Sequence, residues 1–224
     1  MKAFAPLESN PDVFNEFLEK LDIDSVEFVD VYGLDPELLA FVPRPVRAVL
    51  LVFPVSKTYE AYRESADANY EVEKNPAIWS KQTIKNACGT MALIHALANG
   101  VSPAALGSGS GHRLITEFQQ ASDRPQFLES NALLEQIHSS VANQGTSDAV
   151  DADEEVDSHY VCLTKHGDDL VELDGRRKGP IVREHNVANP DLLAIPRAIE
   201  TIKEFIDRES GSPSFAMLAL VDKN

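Results

Sequence analysis

The 224-residue sequence contains only two cysteines, Cys88 and Cys162. So few cannot build a disulfide framework, and this usage fits a reducing compartment. No apolar run approaches the ~20 residues that cross a bilayer. The opening MKAFAPLESNPD also lacks the apolar core of a secretory signal. A cytoplasmic location, extending to the nucleus, is therefore expected, with no membrane association. Positive charge is scarce, with 20 Lys and Arg against 36 Asp and Glu, a net charge of −16. Nucleic acid calls for a basic footprint, so this balance argues against it. It suits a basic partner or, more commonly, solubility alone. No Gly/Ser linker or compositional break divides the chain, which predicts one domain over 1–224. No Cys/His cluster has metal-ligand spacing, so neither metal nor cofactor is expected.

What is present is a series of alternating periodicities. Val13, Phe14, Phe17, Leu18 and Leu21 form a helical stripe that opens after Asn10-Pro11-Asp12. Residues 28–32 are β-prone, Asp35-Pro36 starts a short helix through Ala40, and Val46 to Phe53 reads as a buried central strand. Helical patterns follow at 57–74, at 86–99 with Gly100 as the closing residue, at 112–121 and at 126–140. The glycine-rich LGSGSG at 106–111 lacks the lysine of a phosphate-binding loop and reads as a turn. Residues 141–157 carry six acidic residues between Asp148 and Asp157 and read as a mobile loop. Strands at 159–165 and 170–173, a helix at 191–208 and a strand at 215–221 complete the pattern. Strands interleaved with helices predict an α/β fold of α-β-α layers, a mixed sheet covered on both faces.

Cys88 precedes the helical run MALIHALAN, so it sits near a helix start. Unpaired amides and the helix dipole there favour a thiolate over a thiol. Gly89 would let the backbone approach a substrate closely. The competing reading is a buried structural cysteine. A cysteine nucleophile needs a base. His95, seven residues along the same helix, is roughly 10 Å away and out of hydrogen-bond range. His159 is better placed. If Gly167-Asp168 is a two-residue hairpin turn, His166 pairs with Asp169 and Val161 with Asp174. His159 then shares a face with Asp174, an acid able to orient its imidazole. The same alternation sends Cys162 to the opposite face as a core residue. The alternative for His159 and Asp174 is an exposed strand end and a turn aspartate, which a one-residue register slip would restore. Gln82 could supply an amide to a developing oxyanion, or be an ordinary loop residue.

At these residues the chain resembles the ubiquitin carboxyl-terminal hydrolases. The block from Gln82 to Thr90 (QTIKNACGT) is similar to that family's nucleophile motif, and Leu173-Asp174-Gly175-Arg176 to its aspartate motif. The runs from Phe28 to Leu39, Val42 to Pro45 and Pro6 to Pro11 also match. The resemblance implies a papain-like cysteine protease fold, with a central, mainly antiparallel sheet and a knotted chain path. It implies a thiol-dependent ubiquitinyl hydrolase with Cys88 as nucleophile, His159 as base and acid, Asp174 orienting it and Gln82 on the oxyanion. It implies ubiquitin contacts at Leu7, Glu8, Asn10, Pro11 and Asp30, and near Phe215 to Leu220. Residues 141–157 would cross the active site and admit only small or flexible leaving groups. Nedd8 is a second candidate substrate, and a monomer is expected. The rival expectation is a ubiquitin-binding or ubiquitin-stabilising protein with little turnover.

Overall fold

A computed structural model describes residues 2–71, 76–142, 157–209 and 215–223. Its frame is a six-stranded sheet in the order β1-β6-β2-β3-β4-β5. The strands are β1 (Val26–Asp30), β2 (Val46–Pro54), β3 (Ser158–His166), β4 (Asp169–Leu173), β5 (Ile181–Glu184) and β6 (Ala216–Asp222). Every neighbouring pair runs antiparallel. β2, β3 and β6 fill the middle, and this explains why Val46 to Phe53 is apolar on both faces: each face meets its own core.

On one face Ala48, Leu50, Val52, Tyr160, Cys162, Leu218 and Leu220 pack against helices. These are α1 (Pro11–Lys20), α4 (Cys88–Gly100), α5 (Ser110–Gln120), α6 (Arg124–Ser130) and α7 (Ala132–Ala142). On the other face Val49, Leu51, Phe53, Val161, Leu163 and Ala219 pack against α3 (Lys57–Ala68) and α8 (Pro196–Arg208). A register shift between Val46 and Ala48 in the β2–β6 pairing puts Val46 on this second face despite its even number. The short α2 (Pro36–Leu39) lies between β1 and β2. The predicted α-β-α layering is thus present.

The α1 stripe is as predicted. Val13, Phe14, Phe17, Leu18 and Leu21 are all buried, and the Asn10 side chain accepts the Asp12 N–H at 2.9 Å to cap the helix. Several boundaries differ. The pattern at 126–140 is two helices, because Asn131 stops α6 and its side chain caps α7 by accepting the Leu134 N–H at 2.9 Å. The pattern at 191–208 is a 3₁₀ turn at Leu192–Ala194 followed by α8, which Pro196 restarts. β5 was not foreseen; its four half-exposed or exposed residues at the sheet edge carry no alternating apolar signal. Gly100 does close α4, but not as a left-handed cap. A Cβ there would lie 2.9 Å from the Arg47 carbonyl oxygen, so glycine is required by close packing of the helix end on β2. Val141 and Ala142, expected in the mobile loop, belong to α7, where Val141 is buried below Leu134 and Ile137. Residues 143–156 of that expected loop lie outside the described residues, as do 72–74 of the expected helix at 57–74.

Candidate active site

α4 carries Cys88 at its first position. The eleven residues from Cys88 to Ala98 are buried, so this helix is apolar all round and runs through the core. Asn86 prepares its start with φ +58, a left-handed conformation that asparagine tolerates. The Ala87 carbonyl accepts the Met91 N–H at 2.8 Å. The N–H groups of the first turn, Cys88 included, have no carbonyl one turn earlier and are free of the helical ladder. The close approach that Gly89 makes within the chain is to two side chains. Leu7 and Tyr160 occupy the space beside it, at 3.1 and 3.5 Å from where a Cβ would stand.

The β3–β4 hairpin turns at Gly167-Asp168, with Gly167 at φ +58, and pairs His166 with Asp169 and Cys162 with Leu173. Carried one step further, this register sets Asp174 opposite Val161, as predicted. His159 Nε2 meets Asp174 Oδ1 at 2.7 Å, with both side chains almost fully buried. The remaining nitrogen, Nδ1, is not used by Asp174, and His159 and Cys88 line the same cleft, where Cys88 also favours the charged imidazole. Burial alone would lower the pKa of His159. The Asp174 carboxylate and its hydrogen bond, with Cys88, outweigh it and raise it to about 9. Asp174 is held well below the usual carboxylate range: burial opposes its charge, but His159, the Tyr59 hydroxyl and the Arg176 N–H all favour it. At neutral pH the arrangement is therefore an imidazolium between a carboxylate and a sulfur.

The carboxylate is held from several directions. Asp174 Oδ1 also accepts the Arg176 N–H at 2.8 Å, and Oδ2 accepts the Tyr59 hydroxyl. The Asp174 carbonyl accepts the Trp79 indole N–H at 2.9 Å. Cys88 comes from the helix on one face of the sheet, whereas the ring of His159 packs edge-on to Phe53 of the other face. The groups meet where β3 begins, at a cleft of about 340 Å³ lined by Gln82, Lys85, Asn86, Cys88, His159 and Arg176, among others.

Gln82 reaches this cleft. Its N–H donates to the Gly175 carbonyl at 2.9 Å, and Gly175 is tight against it, since a Cβ there would lie 2.9 Å from Gln82 Cβ. The Gln82 side-chain amide donates one hydrogen to the Ile84 carbonyl at 3.1 Å. An amide nitrogen carries two hydrogens, so the second remains for an oxygen in the cleft.

Other sequence readings resolve directly. Cys162 is fully buried, and burial pushes its thiol pKa up, away from nucleophile chemistry. His95 is fully buried too, accepts the Ser80 N–H at 3.1 Å, and is pushed down to about 4 by burial. Among the described residues no group of three or more His, Cys, Asp or Glu could hold a metal ion.

The expected contact residues divide. Glu8, Asn10, Pro11, Asp30 and Phe215 are half-buried and reachable. Leu220 is not: its side chain is fully buried under the α1–α4 face, so the expectation that it touches a partner is corrected by the inward alternation of β6. Leu7 is 5% exposed, packs on Gly89 and accepts the Tyr160 hydroxyl at its carbonyl at 3.0 Å, which leaves little of it to meet a partner. The sequence reading missed Tyr59, Trp79 and Arg176. Only the Asp174-Gly175-Arg176 adjacency hinted at the last, and nothing local signals that Tyr59 or Trp79 reaches Asp174.

Residues 4–207 match the sequence model of a family described as ubiquitin carboxyl-terminal hydrolase, family 1. The chain is 38% identical over 229 residues to ubiquitin carboxyl-terminal hydrolase 3 of Arabidopsis thaliana, covering 98% of this chain and 94% of that one. It is 34% identical over 221 residues to ubiquitin carboxyl-terminal hydrolase isozyme L1 of Homo sapiens, covering 96% of each. In fold it is similar to the Trichinella spiralis UCH37 catalytic domain, solved bound to ubiquitin vinyl methyl ester. That match has a TM-score of 0.73 at 23% identity and covers 100% of this chain and 97% of that one. Matching the family over nearly its whole length, and bringing a cysteine to the same cleft as a hydrogen-bonded histidine–aspartate pair, the chain belongs to the ubiquitin carboxyl-terminal hydrolase family.

Proposed function

We propose that this protein is a deubiquitinating thiol hydrolase that cleaves small or flexible adducts from the C-terminal glycine of ubiquitin, with Nedd8 as a second substrate. The observation that carries the reading is the chain Cys88–His159–Asp174, closed by the 2.7 Å contact at Asp174 and opening on a cleft. Cys88 attacks the glycine carbonyl carbon as the thiolate, its proton held on His159, and the carbonyl electron pair moves onto oxygen. The Cys88 N–H and the second Gln82 amide hydrogen donate to that oxyanion. His159, protonated at neutral pH, gives its proton to the leaving amine or alkoxide as the bond to it breaks. A thioester on Cys88 remains. Neutral His159 then takes a proton from water, whose oxygen displaces the sulfur and releases the ubiquitin carboxylate.

The net charge of −16 and the reachable Glu8 and Asp30 suit a substrate with a basic tail. The reading extends to a monomeric, single catalytic domain of the cytoplasm and nucleus, with the knotted path of its family. Among the described residues no helix is long and apolar enough to cross a membrane.

Incubation with ubiquitin vinyl methyl ester tests the core of this proposal. Intact mass spectrometry should show one covalent ubiquitin on the wild-type and Cys162→Ala proteins, and none on Cys88→Ala. A wild type that binds ubiquitin but forms no adduct would make it a binding protein, and labelling that follows Cys162 would remove Cys88 as nucleophile.

A further inference from the structure

Asp174 has two carboxylate oxygens, and Oδ1 is committed to His159 Nε2 and the Arg176 N–H. Those two bonds restrain rotation about the side chain's last bond, and a donor on Oδ2 adds a third restraint from the opposite side. The Tyr59 hydroxyl is that donor. Tyr59 is 1% exposed and sits in the first turn of α3, where the Ser56 hydroxyl accepts its N–H at 3.0 Å and fixes the helix start. Its ring is wedged against Phe53, 5.0 Å between centroids, and the Arg176 guanidinium lies over its other neighbourhood at 5.8 Å. Arg176 in turn pairs with Glu60, the next residue of α3. The α3 N-terminus and the loop after β4 therefore grip each other around Asp174.

We propose that Tyr59 is a positioning residue for the hydrolase: its hydroxyl locks the Asp174 carboxylate in the rotation that holds His159 toward Cys88. The proposal rests on the hydrolase reading above. Burial and the Asp174 charge raise the Tyr59 pKa far above its ordinary value, so the hydroxyl remains a donor throughout the working pH range. The charged and titratable groups bearing on this pair are His159 from β3, Arg176 from the following loop, Glu172 from β4, His95 from α4 and Arg63 from α3 itself. None of them replaces a donor at Oδ2.

Tyr59→Phe removes the hydroxyl and keeps the ring packing. The expected result is a fall in kcat of about ten-fold, the cost of about one lost hydrogen bond, with KM for ubiquitin substrates unchanged. Without the Tyr59 donor the Asp174 carboxylate is less firmly held on His159, so the interaction that raises the imidazole weakens and His159 should titrate at lower pH in the free protein, read by NMR. In an Asp174→Ala background the same substitution should be silent, because Tyr59 acts only through that carboxylate. A kcat within two-fold of wild type, a rise in KM alone, an unmoved His159 titration, or an equal loss in the Asp174→Ala background would each overturn the proposal. The NMR titration needs no turnover. A wild type inert toward ubiquitin vinyl methyl ester thus defeats the hydrolase reading, whereas an active wild type with an unmoved titration defeats the Tyr59 inference alone.

Discussion

Asp174→Asn tests the electrostatics of the site directly. The substitution keeps the shape of the side chain and removes its charge. In the wild type the carboxylate overcomes burial and carries His159 from 6.5 to about 9. That difference corresponds to about 3 kcal/mol favouring the imidazolium. With the charge gone, burial is the largest influence left on His159, opposed only by Cys88, and the pKa should fall from about 9. At pH 7.5 the imidazole then shifts from mostly charged toward neutral. To that extent the proton for the leaving group is lost, as is the positive charge beside Cys88. Values of kcat/KM for a fluorogenic C-terminal ubiquitin amide should fall about a hundred-fold or more, while ubiquitin affinity from a binding titration holds. Stability should follow the same logic. A His pKa raised by folding stabilises fully below 6.5 and loses that contribution as pH rises through about 9. A depressed Asp pKa stabilises above 3.8 and loses that contribution as pH falls through its lowered value. Urea unfolding should therefore show the largest gap between wild type and variant between about pH 4 and 6.5, narrowing as pH rises through about 9 to what Tyr59 and Arg176 still give Asp174. Activity within a few-fold of wild type, or a variant whose His159 still titrates near 9, would refute the argument.

Two further substitutions probe the cleft. Gln82→Ala should lower kcat by roughly 10²-fold with little change in KM, since an oxyanion donor acts only in the transition state; a KM effect alone would make Gln82 a binding residue. Gly175→Ala inserts a Cβ 2.9 Å from Gln82 Cβ, which must push the Gln82 segment off the Asp174 loop. Steady-state kinetics should show a loss of kcat and chemical denaturation a loss of about 1–3 kcal/mol; wild-type values for both would show that the two segments separate without consequence.

The His159–Asp174 pair was legible because it rests on local rules. A two-residue turn at Gly167-Asp168 sets the register, period-two alternation sets the face, and together they bring His159 to Asp174 over only fifteen residues. The same alternation consigned Cys162 to the core, and the apolar run after Cys88 marked a helix start. Where local rules were weak, the reading failed. One continuous apolar pattern at 126–140 hid the Asn131 cap, and the edge strand β5 has no buried face to pattern it. Gly89 and Gly100 were recognised as special, but their reasons lie in chain segments far away in sequence: Leu7 for one, Arg47 for the other.

By itself the sequence determined the periodicities, the hairpin register and the residue types able to carry thiol chemistry, because each depends on neighbours along the chain. Only the tertiary structure decided that α4 and α3, on opposite faces of one sheet, converge at the start of β3. It alone set Tyr59 and Trp79 on Asp174, 115 and 95 residues away. It also sealed Leu220 from any partner. Those contacts follow from how layers pack, and packing joins residues whose separation along the chain carries no trace of their meeting.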